Sequence, residues 1–216
     1  MENPVKDDFK TGTTTVGLIA SDKVVLAADM RASFGHIAYD EESKKLYKIT
    51  DNIAVTNAGS VGDSLALIRF LRSQARLYEI ERNSKITPKA ITTYLSNVLN
   101  ANRYYPFAAQ FVLGGINDGP ELYELTPYGG ILKREKFAVS GSGTEFAMTT
   151  LDQNYKKGMT EAEGIALAIK AVKAGTKRDI YSGGKSLSVM VIDKKGIRKL
   201  NETEVQKHIP KKAQVQ

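Results

Sequence analysis

Thr11-Gly12-Thr13-Thr14-Thr15-Val16-Gly17 is the stretch on which the reading of this chain turns. β-Branched residues favour strands, so a strand begins here. The residues before Thr13 show neither a helical nor a strand period, and they read as a removable leader. A cut between Gly12 and Thr13 would leave one residue carrying both a hydroxyl and a free α-amine. Such an amine titrates near roughly 7.7–8, so it serves as a base at neutral pH, where lysine stays protonated. A threonine hydroxyl activated by its own terminal amine is a workable nucleophile. It also dispenses with histidine, of which the chain has only His36 and His208.

Composition narrows the alternatives. At 216 residues, with 42% apolar and 25% charged, the chain has the balance and length of one large globular domain. Cysteine is absent, which removes disulfides, thiolate metal sites and cysteine nucleophiles. No metal site and no cofactor are expected. The first ten residues lack the apolar core of a signal peptide. The apolar run Val24–Ala28 is far shorter than the roughly 20 residues of a membrane helix. A cytoplasmic protein with no membrane partner is expected. The net charge of +7 admits nucleic-acid binding, but the lysines are dispersed. The one basic cluster, Lys207 to Lys212, has no interleaved aromatics for base stacking, so no nucleic-acid partner is expected.

Outward from Thr13 the pattern alternates between strand and helix blocks. Thr13–Ala20 and Val24–Met30 read as a hairpin across Ser21-Asp22-Lys23, and Leu46–Ile49 and Asn52–Ala58 as another pair. Ser60 followed by Asp63 resembles a capping box, opening a helix with a stripe of Leu65, Ile68, Leu71, Ala75 and Tyr78. Thr87-Pro88 starts a second helix, which ends near Asn102. Strands follow at Gln110–Ile116, Glu121–Leu125, Gly130–Leu132 and Phe137–Ser140. Thr144 is expected to cap a helix over Glu145–Lys157, and Thr160 with Glu163 to cap one reaching about Lys177. Leu187–Asp193 and Ile197–Leu200 close the pattern. These blocks predict an α+β fold, simplest as a four-layer αββα sandwich of two packed antiparallel sheets with a helix pair outside each. The expected organisation is a propeptide over 1–12, one domain over 13–203 and a basic tail over 204–216.

Three glycine-rich motifs fail on their own terms. Gly183-Gly184-Lys185-Ser186 lacks the first glycine of a phosphate loop, since Asp179 stands there, and a strand-like run follows it. Gly141-Ser142-Gly143 lacks the third glycine of a dinucleotide loop and the flanking glycines of a nucleophile elbow. Ser182 to Lys185 matches S-x-x-K but falls in a loop.

Several separated blocks together resemble the proteasome beta subunits, most closely the archaeal catalytic type. Gly12 to Gly17 is similar to the family's processing site and first strand. Ala28-Asp29-Met30-Arg31-Ala32-Ser33 resembles its acidic motif, and Ser43-Lys44-Lys45-Leu46 its lysine motif. Asn57-Ala58-Gly59-Ser60-Val61-Gly62-Asp63 resembles its strand-to-helix turn. Gly141-Ser142-Gly143 and Arg178 to Gly184 resemble its two late motifs. The resemblance spans most of the chain, in the family's order.

That resemblance implies an N-terminal-nucleophile hydrolase fold and a threonine endopeptidase. Thr13 is the implied nucleophile, and Lys45, with Asp29 as its partner, lowers the hydroxyl pKa. Ser142, Asp179 and Ser182 support the threonine and its amine. The Gly59 N–H supplies the oxyanion hole, and the Ser33 backbone binds extended substrate. Ala32, Asn57 and Val61 line the side-chain pocket, with small or apolar residues expected before the cut. The implied partners are seven-membered beta rings stacked with alpha-subunit rings, an ATP-dependent unfoldase and unfolded polypeptide. Within the family the alternative is an unprocessed or inactive beta-type subunit with a structural ring role. The bacterial two-component threonine protease also starts its first strand with threonine, but Asp179 to Gly184 fits the proteasome better. The remote alternative is a basic nucleic-acid-binding domain.

Overall fold

Strands whose two faces are both apolar need cover on both sides, and the computed structural model, which describes residues 12–209, shows where each face goes. The chain begins with β1 (Thr15–Ala20), β2 (Lys23–Asp29), β3 (Ala32–Phe34) and β4 (Ile37–Asp40). Next come β5 (Leu46–Lys48), β6 (Ile53–Thr56) and β7 (Ala58–Gly59), then α1 (Val61–Arg82) and α2 (Pro88–Ala101). A second strand block holds β8 (Ala109–Ile116), β9 (Pro120–Leu125), β10 (Ile131–Lys133) and β11 (Phe137–Ser140). It leads into α3 (Thr144–Asn154) and α4 (Glu161–Arg178). The chain closes with β12 (Leu187–Asp193), β13 (Gly196–Lys199) and α5 (Glu202–Lys207).

One sheet has the order β11-β1-β2-β12-β13 and the other β10-β9-β8-β6-β5, with β7 also on β8. All these pairings are antiparallel. The fold is therefore α+β with antiparallel sheets. Alternate residues of each strand feed different cores, as the two-residue period requires. From β2, Val25 and Ala27 join a cluster with Ala147, Ile165 and Val172 of α3 and α4. Val24, Leu26 and Ala28 join a cluster with Ala54, Val112 and Leu122 of the other sheet. From β6 and β8, Ile53, Val55, Phe111 and Leu113 meet Leu71 and Leu95 of α1 and α2.

The apolar seam between the sheets also holds a polar link through two threonines. Thr15 Oγ1 of β1 donates to Thr56 Oγ1 of β6 at 3.1 Å, and Val112 N–H of β8 also donates to Thr56 Oγ1 at 3.1 Å. These groups are buried, so the threonine hydroxyl both pairs a stray backbone amide and fixes one sheet on the other.

Several boundaries differ from expectation. The hairpin of β3 and β4, with His36 in its turn, was not expected; among the described residues its two strands pair only with each other. Ser60 accepts from Asp63 N–H, but the Asp63 carboxylate accepts from Ala108 N–H instead of completing a box. The expected capping role of Thr144 is not observed: Gly143 holds the cap position, and Thr144 Oγ1 donates to Gly141 O at 2.6 Å. That helix stops at Asn154 instead of Lys157. Tyr155 turns extended, sets its ring edge-on to Phe137 and donates its hydroxyl to Ile19 O. Thr160 and Glu163 do form the reciprocal box.

The expected domain end at residue 203 falls inside α5, whose Val205 is buried in the cluster beneath α3 and α4. Asn201 and Glu204 form a second capping box there, ahead of the basic cluster from Lys207 to Lys212. Residues 1–11 of the expected leader and 210–216 of the expected tail lie outside the described residues. Among the described residues, no helix is long and apolar enough to cross a membrane.

Thr56→Val keeps the shape of the seam but strands the Val112 N–H. It should lower unfolding stability by about 1–3 kcal/mol in a urea titration; an unchanged midpoint would mean that this link carries no weight.

Candidate active site

The β1–β2 pairing sets Thr15 opposite Ala28, which puts Thr14 beside Asp29 at the open end of the hairpin. The β2–β12 pairing sets Leu187 opposite Asp29 and draws in the loop after α4. The β1–β11 pairing sets Thr15 opposite Ser140 and draws in Ser142. From the other sheet, Asn57 N–H donates to Lys45 O at 2.8 Å, at the point where β6 gives way to β7. Thus Thr13, Asp29, Lys45, Ser142, Asp179 and Ser182, scattered over most of the sequence, meet at one end of both sheets.

Asp29 and Lys45 are buried together. Asp29 Oδ1 accepts from Lys45 Nζ at 2.8 Å and from Thr14 N–H at 2.9 Å. Its Oδ2 accepts from Gly183 N–H at 2.8 Å and Arg31 N–H at 3.2 Å. Burial pushes the Lys45 ammonium below its ordinary pKa, and the adjacent Asp29 charge and hydrogen bond oppose that shift.

Lys45 Nζ also donates to Gly12 O at 3.2 Å, while Thr13 Oγ1 donates to the same oxygen at 2.6 Å. One carbonyl, that of the expected cut, therefore receives an ammonium and a hydroxyl. A Cβ on residue 12 would lie 1.6 Å from Tyr181 Cβ, so the junction has room only for glycine.

Behind Thr13 runs a second network. Thr13 N–H donates to Ser142 Oγ at 3.0 Å, and Ser142 Oγ donates to Asp179 Oδ2. Ser182 Oγ donates to the same oxygen at 2.5 Å and meets Thr14 Oγ1 at 2.8 Å. Tyr181 N–H donates to Asp179 Oδ1 at 3.2 Å.

Gly59 sits at φ +110°, and a Cβ there would come 2.1 Å from Ala108 O. The turn thus demands glycine for both conformation and space. Ala32, Ser33, Asn57 and Val61 line one cleft of about 40 Å³ with Thr13, Lys45 and Gly59. The Ser33 hydroxyl is turned away from a substrate role and donates to Tyr181 O at 2.9 Å. A larger hollow, about 540 Å³, adjoins Gly59 and Ser142 on the other side. At the small cleft a hydroxyl faces a carbonyl with a buried cation beside it. Among the described residues, no cluster of His, Asp and Glu is arranged to hold a metal.

The chain matches the family described as proteasome subunit over residues 9–192. It belongs to the proteasome subunit family. Proteasome subunit beta of Methanocaldococcus vulcanius is 46% identical over 202 residues, covering 93% of this chain and 90% of that protein. Proteasome subunit beta 1 of Thermococcus kodakarensis is 41% identical over 194 residues, covering 90% and 95%. Proteasome subunit beta of Methanosarcina mazei is 41% identical over 200 residues, covering 92% and 95%. The proteasome family also brings the N-terminal-nucleophile hydrolase fold expected from the motifs.

Some contributors were not singled out from the sequence of this proteasome subunit. Thr14 looked like one more strand residue, yet its hydroxyl joins the Ser182 network. Tyr181 and Gly183 act through backbone N–H groups, which no side-chain pattern reveals. Arg31 supplies a backbone N–H to Asp29 and a side chain that pairs with Glu41 at 3.1 Å.

Carbon-13 NMR of ε-labelled lysines should show Lys45 titrating below 10.5. Asp29→Asn removes the opposing negative charge, so the titration should move to still lower pH. A shift upward in that variant would contradict the charge assignment.

Proposed function

We propose that this chain is the peptide-cutting subunit of the proteasome core and that Thr13 is its nucleophile. The observation that carries this reading is the convergence of Thr13 Oγ1 and the Asp29-bound Lys45 Nζ on the Gly12 carbonyl. The chain is a beta-type, threonine-dependent endopeptidase subunit that assembles with alpha subunits.

In the first reaction, Thr13 Oγ attacks the Gly12 carbonyl carbon. The Gly12–Thr13 C–N bond breaks, an ester forms, and the hydroxyl proton ends on the departing Thr13 nitrogen. Water then hydrolyses the ester, releasing residues 1–12 as an acid and leaving Thr13 with hydroxyl and α-amine. In later cycles that amine takes the hydroxyl proton as Oγ attacks a substrate carbonyl, and the proton passes to the leaving peptide amine. Water, deprotonated by the same amine, frees the acyl fragment.

The remaining residues hold this geometry. Lys45, kept charged by Asp29, lowers the hydroxyl pKa. Ser142, backed by Asp179 and Ser182, receives the Thr13 nitrogen before and after the cut. Gly59 N–H faces the developing oxyanion. The Ser33 backbone holds extended substrate, and Ala32, Asn57 and Val61 surround the side chain preceding the cut. The scheme draws on no metal or nucleotide.

In this reading a leader over 1–12 blocks the amine until assembly, and a single hydrolase domain begins at Thr13. The three apolar clusters support a four-layer αββα order, helices outside and sheets inside. The beta chains form seven-membered rings between alpha rings in the cytoplasm, and an ATP-dependent unfoldase delivers unfolded polypeptide to the enclosed sites.

Intact mass after co-expression with an alpha partner tests the nucleophile. Wild-type chains should begin at Thr13, and Thr13→Ala chains should retain residues 1–12 and cut no peptide. Uncut wild-type chains in complete rings would replace this reading with a structural subunit. Ser142→Ala should process and cut about 10- to 100-fold more slowly, the worth of one hydrogen bond to a charged partner.

A further inference from the structure

Asn57 is 5% exposed, yet its Oδ1 is buried with no hydrogen-bond partner among the described residues. Native structures leave few buried polar groups in this state, and each calls for an explanation. Asn57 lines the cleft of about 40 Å³ beside Thr13, together with Ala32 and Val61.

The charged groups at that cleft are already engaged. Lys45 is bound to Asp29 and Arg31 to Glu41. The Lys44 ammonium lies 5.0 Å from the centre of the Tyr47 ring. The Asn57 amide keeps one buried acceptor, Oδ1, uncommitted among the described residues. It carries a donor and an acceptor in one plane, and a half-turn about its last torsion exchanges them. The side chain that satisfies both ends at once is another primary amide.

We propose that Asn57 makes this cleft a subsite for a short, uncharged carboxamide side chain, asparagine first and glutamine next, on the residue preceding the cut. This rests on the reading of Thr13 as nucleophile and departs from the apolar preference expected from the sequence. Leucine has nearly the shape of asparagine but would seal the Asn57 amide without a partner. A site built around a hydrogen bond discriminates against the analogue that lacks it. Lysine and arginine would meet Arg31, Lys44 and Lys45 in a cleft lined by no carboxylate.

Assembled cores would be given a denatured protein and a peptide series differing only in Asn, Gln, Leu, Lys or Asp before the cut, with products mapped by mass spectrometry. Wild-type cores should cut after Asn about tenfold faster, by kcat/KM, than after Leu, the worth of one to two neutral hydrogen bonds. Asn57→Leu should reverse that order. The wild-type series decides the matter alone if the variant fails to assemble. Cutting that favours Leu, Lys or Asp over Asn, or an order unchanged in an assembled Asn57→Leu core, would overturn the subsite and leave the threonine protease reading standing. No cutting of any peptide by wild-type cores, as in Thr13→Ala cores, would overturn both.

Discussion

Asp29 collects an ammonium and three backbone N–H groups on one buried carboxylate, and the site is arranged around that hub. Two of the N–H groups, from Thr14 and Gly183, belong to segments far apart in the chain. The third, Arg31, lies just past β2. Burying an ion pair is not a cheap source of stability, because desolvation offsets much of the attraction. Here the charge is bound on all sides, so removing it would leave a buried cation and several N–H groups without an acceptor. The pair is better understood as a rigid mount for the Lys45 ammonium, fixing it 3.2 Å from the Gly12 carbonyl oxygen.

The sheets supply the rest of the positioning. Antiparallel pairing of β1 with β2 and β11, and of β2 with β12, brings the ends of four strands to one edge. A one-residue slip in any pair would turn Asp29 or Thr14 to the wrong face. Such slips are opposed by alternation between two apolar clusters and by the Thr15–Thr56 link across the seam. Close packing extends to the helices. Gly175 of α4 has no Cβ, and one placed there would lie 2.3 Å from Thr14 Oγ1. A glycine that weakens a helix by itself thereby lets α4 approach the strand end that carries the site.

Much of this was legible in the chain because the signals were local. Thr87-Pro88 and Thr160 with Glu163 mark helix starts through backbone N–H groups that need nearby oxygens. Leu187–Asp193 agrees residue for residue with β12, since its apolar run is bounded by a glycine-rich loop and a tight turn. The misreadings share a cause as well. Thr144 has a capping residue's chemistry, but Gly141 O claims its hydroxyl. The early stop of α3 depends on Tyr155 finding Phe137 and Ile19, partners remote in sequence. Helix α5 reads as tail because the basic cluster after it stands out and its single buried anchor, Val205, does not.

By itself the sequence determined the α+β class, most of the element order and the residue types able to cut a peptide without cysteine or a histidine base. These follow from periodicity, capping and pKa, which are properties of short segments. The tertiary structure alone decided that Gly12 O receives both Thr13 and Lys45, that backbone N–H groups of Thr14, Arg31 and Gly183 hold Asp29, and that Asn57 Oδ1 is buried with no partner among the described residues. Each of these depends on which distant segments strand pairing brings within 3 Å or so of one another, and no local pattern encodes that distance.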